Sequence, residues 1–151
     1  MTRLWLFVLV LALAFAVVAR GEDPTLLSYG KVTVEPVKTS IYVGNVTLTM
    51  PTFTRDGTKY ATTYAAKVFP YFFYNEKGKL WIEFSDDDLR RLERNETVNF
   101  TGHATSDDRE ERRIEGRAVP SDAISGKIKV RVFVSAKIEL IFNTTYRFAE
   151  R

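Results

Sequence analysis

KIKVRVFVSAKIELIFNTTYRF, residues Lys127 to Phe148, alternates apolar and polar side chains almost without a break. Ile128, Val130, Val132 and Val134 occupy even positions, and Ile138, Leu140, Phe142, Tyr146 and Phe148 continue the same parity. Lysine, arginine, glutamate and asparagine fill most odd positions. Such alternation specifies a β-ribbon with one face in a core and the other in water. Twenty-two extended residues would span roughly 70 Å, several times an ordinary strand, so the chain must turn near Ser135-Ala136-Lys137. A three-residue loop keeps parity where a two-residue loop would flip it. The predicted hairpin therefore sets Val134 against Ile138 and Val132 against Leu140.

Working back from this ribbon, the same pattern recurs in short runs separated by turn residues. Val32 and Val34 alternate before Pro36. Ile41 and Val43 are odd while Val46, Leu48 and Met50 are even, which predicts a bulge at Gly44. Asp56-Gly57 marks a turn. Tyr60, Thr62, Tyr64, Ala66 and Val68 share one face. Asn75-Glu76-Lys77-Gly78 reads as the next turn, followed by Leu80, Ile82 and Phe84. Val98, Phe100, Gly102 and Ala104 form another inward row, and Ile114, Gly116 and Ala118 a further one. Strands at this spacing predict a single antiparallel barrel or sandwich of about seven to nine strands, all-β apart from one short helix.

That helix is placed from Asp86 to about Arg94. Ser85 is its predicted cap, with Asp88 three residues on, and acids at its start and arginines at its end suit the macrodipole. Asp86–Arg90 and Asp87–Arg91 are spaced to pair. Leu89 and Leu92 provide a narrow apolar edge, suited to lidding a barrel end.

At the other end of the chain, Arg3 precedes Leu4 to Ala19, sixteen residues without a polar side chain, and a polar switch follows. Sixteen falls short of the ~20 needed to cross a bilayer, so residues 1–19 read as a cleaved secretory signal peptide, with an uncleaved anchor as the rival. Residues 20–27 read as a linker and 28–151 as the domain. The chain has no cysteine, so it must hold together by burial. An exported domain of this kind points to a bacterial periplasm or cell surface, with an extracellular location as the alternative. Four Asn-x-Thr triplets, at Asn45, Asn95, Asn99 and Asn143, leave eukaryotic glycosylation open. Without Arg3 the basic count falls from 22 to 21 against 19 acids, a net +2. That balance argues against nucleic acid and leaves a membrane as partner only through an uncleaved signal segment.

Little in the sequence specifies chemistry. There is no phosphate-binding glycine loop and no nucleophile elbow. His103 is the sole histidine. Asp86-Asp87-Asp88 suits a helix start, and Asp107, Asp108, Glu110 and Glu111 suit a solvated hairpin tip. No catalytic residue, metal ligand or cofactor is assigned.

The aromatic run Phe69-Pro70-Tyr71-Phe72-Phe73-Tyr74 is the one unusual feature. Continuity of parity from Val68 places Phe72 and Tyr74 inside, so that Phe72→Ala should cost about 3 kcal/mol or more. It leaves Tyr71, Phe73 and Trp81 as an exposed binding patch. The expected function is that of a non-enzymatic β-domain binding an apolar small molecule or a cell-envelope partner protein. The alternatives are a carbohydrate module stacking glycans on those aromatics, and a carboxylate-based hydrolase.

Overall fold

The computed structural model describes residues 29–149; the segments read as signal peptide and linker lie outside the described residues. In chain order the elements are β1 (Lys31–Val34), β2 (Val37–Ile41), β3 (Gly44–Thr49), β4 (Phe53–Asp56), β5 (Lys59–Phe69), β6 (Glu76–Glu83), α1 (Asp86–Glu93), β7 (Val98–Ser106), β8 (Glu111–Pro120), β9 (Ser125–Phe133) and β10 (Glu139–Phe148). The strands run β2-β3-β5-β4-β1-β10-β9-β8-β7-β6, and β6 pairs back onto β5. Eight strands thus close into an antiparallel barrel, with β2 and β3 as an extra hairpin on β5. Closure removes most of the open edge that a sheet would expose.

The alternating ribbon Lys127 to Phe148 forms β9 and β10, in the predicted register: Leu140 faces Val132, and the Val134 amide donates to the Ile138 carbonyl at 3.0 Å. The inward rows of β5, β7 and β8 are also as the alternation predicts, with Tyr60, Tyr64, Val68, Val98, Phe100, Ala104, Ile114 and Ala118 buried. On β8, Gly116 leaves the space that the Phe100 ring fills; a Cβ there would lie 2.1 Å from the ring's Cζ.

The early strands depart from prediction. Ile41 pairs with Gly44 across a two-residue turn at Tyr42-Val43, so the parity change there is a hairpin and not a bulge at Gly44. The pleat slips instead at Glu35-Pro36. Val32 and Val34 face inward before it, Val37 after it, and the chain leaves the β10 ladder there, since Pro36 has no N–H to give and β2 pairs with β3 instead. A second slip across residues 50–52 separates Val46 and Leu48 from Phe53. Asn75 to Gly78 is not a turn, since Glu76 to Gly78 already belong to β6.

α1 closes the end of the barrel where β1 begins and β6 finishes. Leu89 and Leu92 are buried, and Leu92 lines a small apolar chamber with Phe84, Phe100, Ile128 and Phe148. The Ser85 hydroxyl accepts from the Asp88 amide at 3.1 Å, and the Asp88 carboxylate accepts from the Ser85 amide at 3.0 Å, a complete capping box. The predicted Asp86–Arg90 and Asp87–Arg91 pairs do not form. Arg55, reaching from β4, takes Asp86 at 2.7 Å, Arg90 takes Asp87 one position nearer, and Arg91 turns to Glu96. The Arg55 hydrogen bond holds the Asp86 carboxyl below the usual aspartate range. Ser85→Ala is expected to lower stability by about 1 kcal/mol, because the Asp88 amide loses its acceptor. Urea denaturation checks it, and an unchanged midpoint would deny the cap its role.

Candidate functional site

β5 runs past the barrel wall to Phe69, and Pro70 ends its pairing. The chain then curls into a 3-10 turn at Phe72–Tyr74, with Tyr74 N–H donating to the Tyr71 carbonyl at 3.0 Å and Asn75 N–H to the Phe72 carbonyl at 3.1 Å. The Asn75 side chain ties this loop down by accepting the Val68 amide at 2.8 Å. The whole aromatic run points outward: Phe72 is 64 % exposed, Phe73 77 % and Tyr74 67 %.

The expected inward placement of Phe72 and Tyr74 is therefore corrected, and so is the large stability cost expected of Phe72→Ala. The barrel has no room for them at this end. Glu76 accepts from the Tyr64 hydroxyl and pairs with Arg112 at 2.9 Å, and Arg112 also donates to the Val134 carbonyl at 3.1 Å. These three side chains fill the mouth with a polar plug. Burial, then the Glu76 contact, pushes the Tyr64 phenol well above its usual range.

The β2–β3 turn completes the surface. Asn45 pairs with Phe69, and Gly44 packs so closely on the next strand that a Cβ would meet the Phe69 carbonyl oxygen at 2.0 Å. Only glycine permits this approach, which sets fully exposed Tyr42 and half-exposed Val43 beside Phe69. Phe69 and Phe72 meet edge-to-face at 6.0 Å and Tyr71 and Phe73 at 5.8 Å, while Phe73 and Tyr74 are tilted at 4.6 Å. The result is a knobbed aromatic rim at the end opposite α1.

Of the three residues assigned to a binding patch, Tyr71 and Phe73 are together and Trp81 is elsewhere. Trp81 pairs with Ala61 and His103 two residues before β6 ends towards α1, eight residues or roughly 26 Å down β5 from Phe69. Its indole is half-buried, stacked with His103 and covered by the Lys59 ammonium at 4.2 Å. Tyr42 and Val43 were missed in the sequence because nothing local places their turn against Phe69.

The other cavities are less apt. Two interior chambers measure about 40 and 30 Å³. A groove of about 590 Å³ crosses the outside of β7, β8 and β9, lined by Glu83, Asp88, Glu115, Arg117, Lys129 and Arg131. Its acids are engaged: Asp88 caps α1, Glu83 accepts from Thr58 at 2.6 Å, and Glu115 lies 3.4 Å from Arg113. His103 contacts Glu111 on the outer wall. Among the described residues no group of three acidic, histidine or cysteine side chains could hold a metal, and no helix is long and apolar enough to cross a membrane. Asn95, Asn99 and Asn143 are exposed and Asn45 is half-buried.

No family model matches the chain, and no curated protein or solved structure does either. The class is defined by the fold alone: a closed eight-stranded antiparallel barrel with an added hairpin, one end lidded by a helix and the other rimmed by aromatics.

Proposed function

We propose that the chain is an exported, non-enzymatic barrel whose aromatic rim docks on a partner in the cell envelope. The observation that carries this reading is the rim itself: Tyr42, Val43, Phe69, Phe72, Phe73 and Tyr74 expose their side chains together at one end. Clustered exposed apolar surface of this kind usually marks a contact site. The interior argues for a partner over a small molecule. Ligand pockets occupy roughly 300–1,000 Å³, whereas the larger of the two apolar chambers holds about 40 Å³. Glycan stacking is less well served, because neighbouring rim rings meet at 49° to 76° and offer no flat platform.

The test is fractionation of the exported protein. Phe73→Ser with Tyr74→Ser should lower the share that stays with washed envelopes at least ~10-fold, the equivalent of about 1.4 kcal/mol. Arg117→Ser, on the outer wall, should leave that share unchanged. Equal retention of all three proteins would remove the rim from any docking role.

A further inference from the structure

The charge beneath the rim is sorted in a way that the balanced net charge conceals. β2, β3 and the rim half of β5 carry Lys38 and Lys67 and not one carboxylate. Lys38, Thr47 and Lys67 stand in one row across the three strands, two residues below Phe69. Lys77 pairs with Ala65 and Lys79 with Thr63, which extends the row onto β6. The one acid of upper β6, Glu76, turns inward to Arg112 and Tyr64. All four of these lysines are exposed, and none takes part in an ion pair among the described residues.

We infer that the partner of the rim is the surface of an anionic lipid bilayer. This rests on the docking reading above and adds the identity of what is docked. Aromatic side chains enter the boundary between headgroups and acyl chains, at a depth of roughly 5–10 Å. Lys38 and Lys67 sit two residues, or about 7 Å, behind Phe69, and Lys77 about 13 Å behind it. At that depth of insertion their ammonium groups reach the phosphate level. A row of lysines without interspersed acids is attracted there, and each is worth about fivefold in binding. A protein partner with an acidic groove would also welcome the lysines. The separate 3-10 turn, with no buried residue, better suits a yielding surface than a shaped one.

The acidic turn at Asp107, Asp108 and Glu110 lies at the same end, where the Asp107 amide donates to the Lys77 carbonyl. It borders the β6 end of the lysine row, on the side away from β2 and β3. Repulsion of this turn tilts the barrel so that the β2-β3-β5 side meets the lipid.

The experiment is sedimentation of the exported chain with vesicles of pure phosphatidylglycerol and of pure phosphatidylcholine. Binding to phosphatidylglycerol should be at least ~10-fold tighter and should weaken with added salt. Lys38→Gln with Lys67→Gln should erase most of that preference, while Phe73→Ser with Tyr74→Ser should abolish binding to both. Thermal melts establish that each variant is folded, as expected for exposed positions. Failure to bind phosphatidylglycerol vesicles overturns the inference, as does binding that ignores the aromatic substitutions. Were the rim variant still to lose envelope retention in that case, the docking reading would stand with a protein as the partner.

Discussion

Tyr60→Ala should destabilise the barrel by about 4 kcal/mol, the largest single effect expected in this molecule. Tyr60 is 1 % exposed at the helix-lidded end. Its ring meets Phe84 and Phe148, Arg55 lies over it at 5.7 Å, and its hydroxyl donates to the Tyr29 carbonyl at 2.6 Å. Truncation removes the ring, leaves a cavity beneath α1 and orphans that carbonyl. Phe72→Ala is the companion measurement. An exposed ring with no core contacts should cost within about 0.5 kcal/mol, and urea denaturation of the two variants separates them. Comparable losses would return Phe72 to the core.

The same burial gives Tyr60 a pH signature. Desolvation raises its phenol from 10.0 to about 12, with Arg55 opposing and Asp86 assisting. The unfolded chain gives up this proton first. Its contribution to stability is therefore whole below pH 10 and drains away as pH rises towards about 12. Tyr146, raised to about 12 by burial, adds to the loss in the same window. Tyr60→Phe keeps the ring and cannot ionise, so its stability should fall less steeply across that window than that of the unaltered protein. Parallel slopes would assign the alkaline loss to other groups.

What the sequence disclosed follows from the range of the interaction concerned. α1 was readable because its capping box spans four consecutive residues, Ser85 to Asp88. The β9–β10 register was readable because Val132 and Leu140 keep one parity across a short loop. Tyr42-Val43 was not, since the turn uses two strand-forming residues. Among the described residues only Asn95, Arg109 and Gly57 have positive φ, so this turn lacks the left-handed residues that advertise hairpins. The pleat slips at Pro36 and across residues 50–52 are fixed by which neighbours the strands must reach, a tertiary matter. The aromatic run misled for a similar reason. Parity from Val68 sends Phe72 inward, but Tyr64, Glu76 and Arg112 already occupy that end, and two of those three lie outside the run's own strand. A net charge of +2 likewise says nothing about which wall collects the lysines, because register and not composition sets Lys38 and Lys67 in one row.

Arg112→Met, at the rim end, is expected to cost about 3 kcal/mol. The guanidinium lies 2.9 Å from Glu76, 3.1 Å from the Val134 carbonyl and 3.6 Å from Glu110, with its side chain 16 % exposed. Methionine fills similar space but leaves the Glu76 carboxylate in the barrel mouth with only the Tyr64 hydroxyl, and the Val134 carbonyl without its donor. A buried charge stripped of its partner is costlier than no charge at all. Glu76→Gln combined with Arg112→Met should therefore lose less than Arg112→Met alone, and the cycle should report a coupling of about 1–2 kcal/mol. Additive losses would mean that water, and not Arg112, satisfies Glu76. The plug also governs the rim, because Glu76 directly follows the aromatic loop that Asn75 pins to Val68. Loosening Glu76 loosens that pin, so hydrogen exchange at the Val68 amide should quicken in Arg112→Met even where the barrel stays folded. Exchange at Val68 that keeps its original rate would show the loop to be held by its 3-10 turn alone, with the plug stabilising the wall but not the aromatic rim.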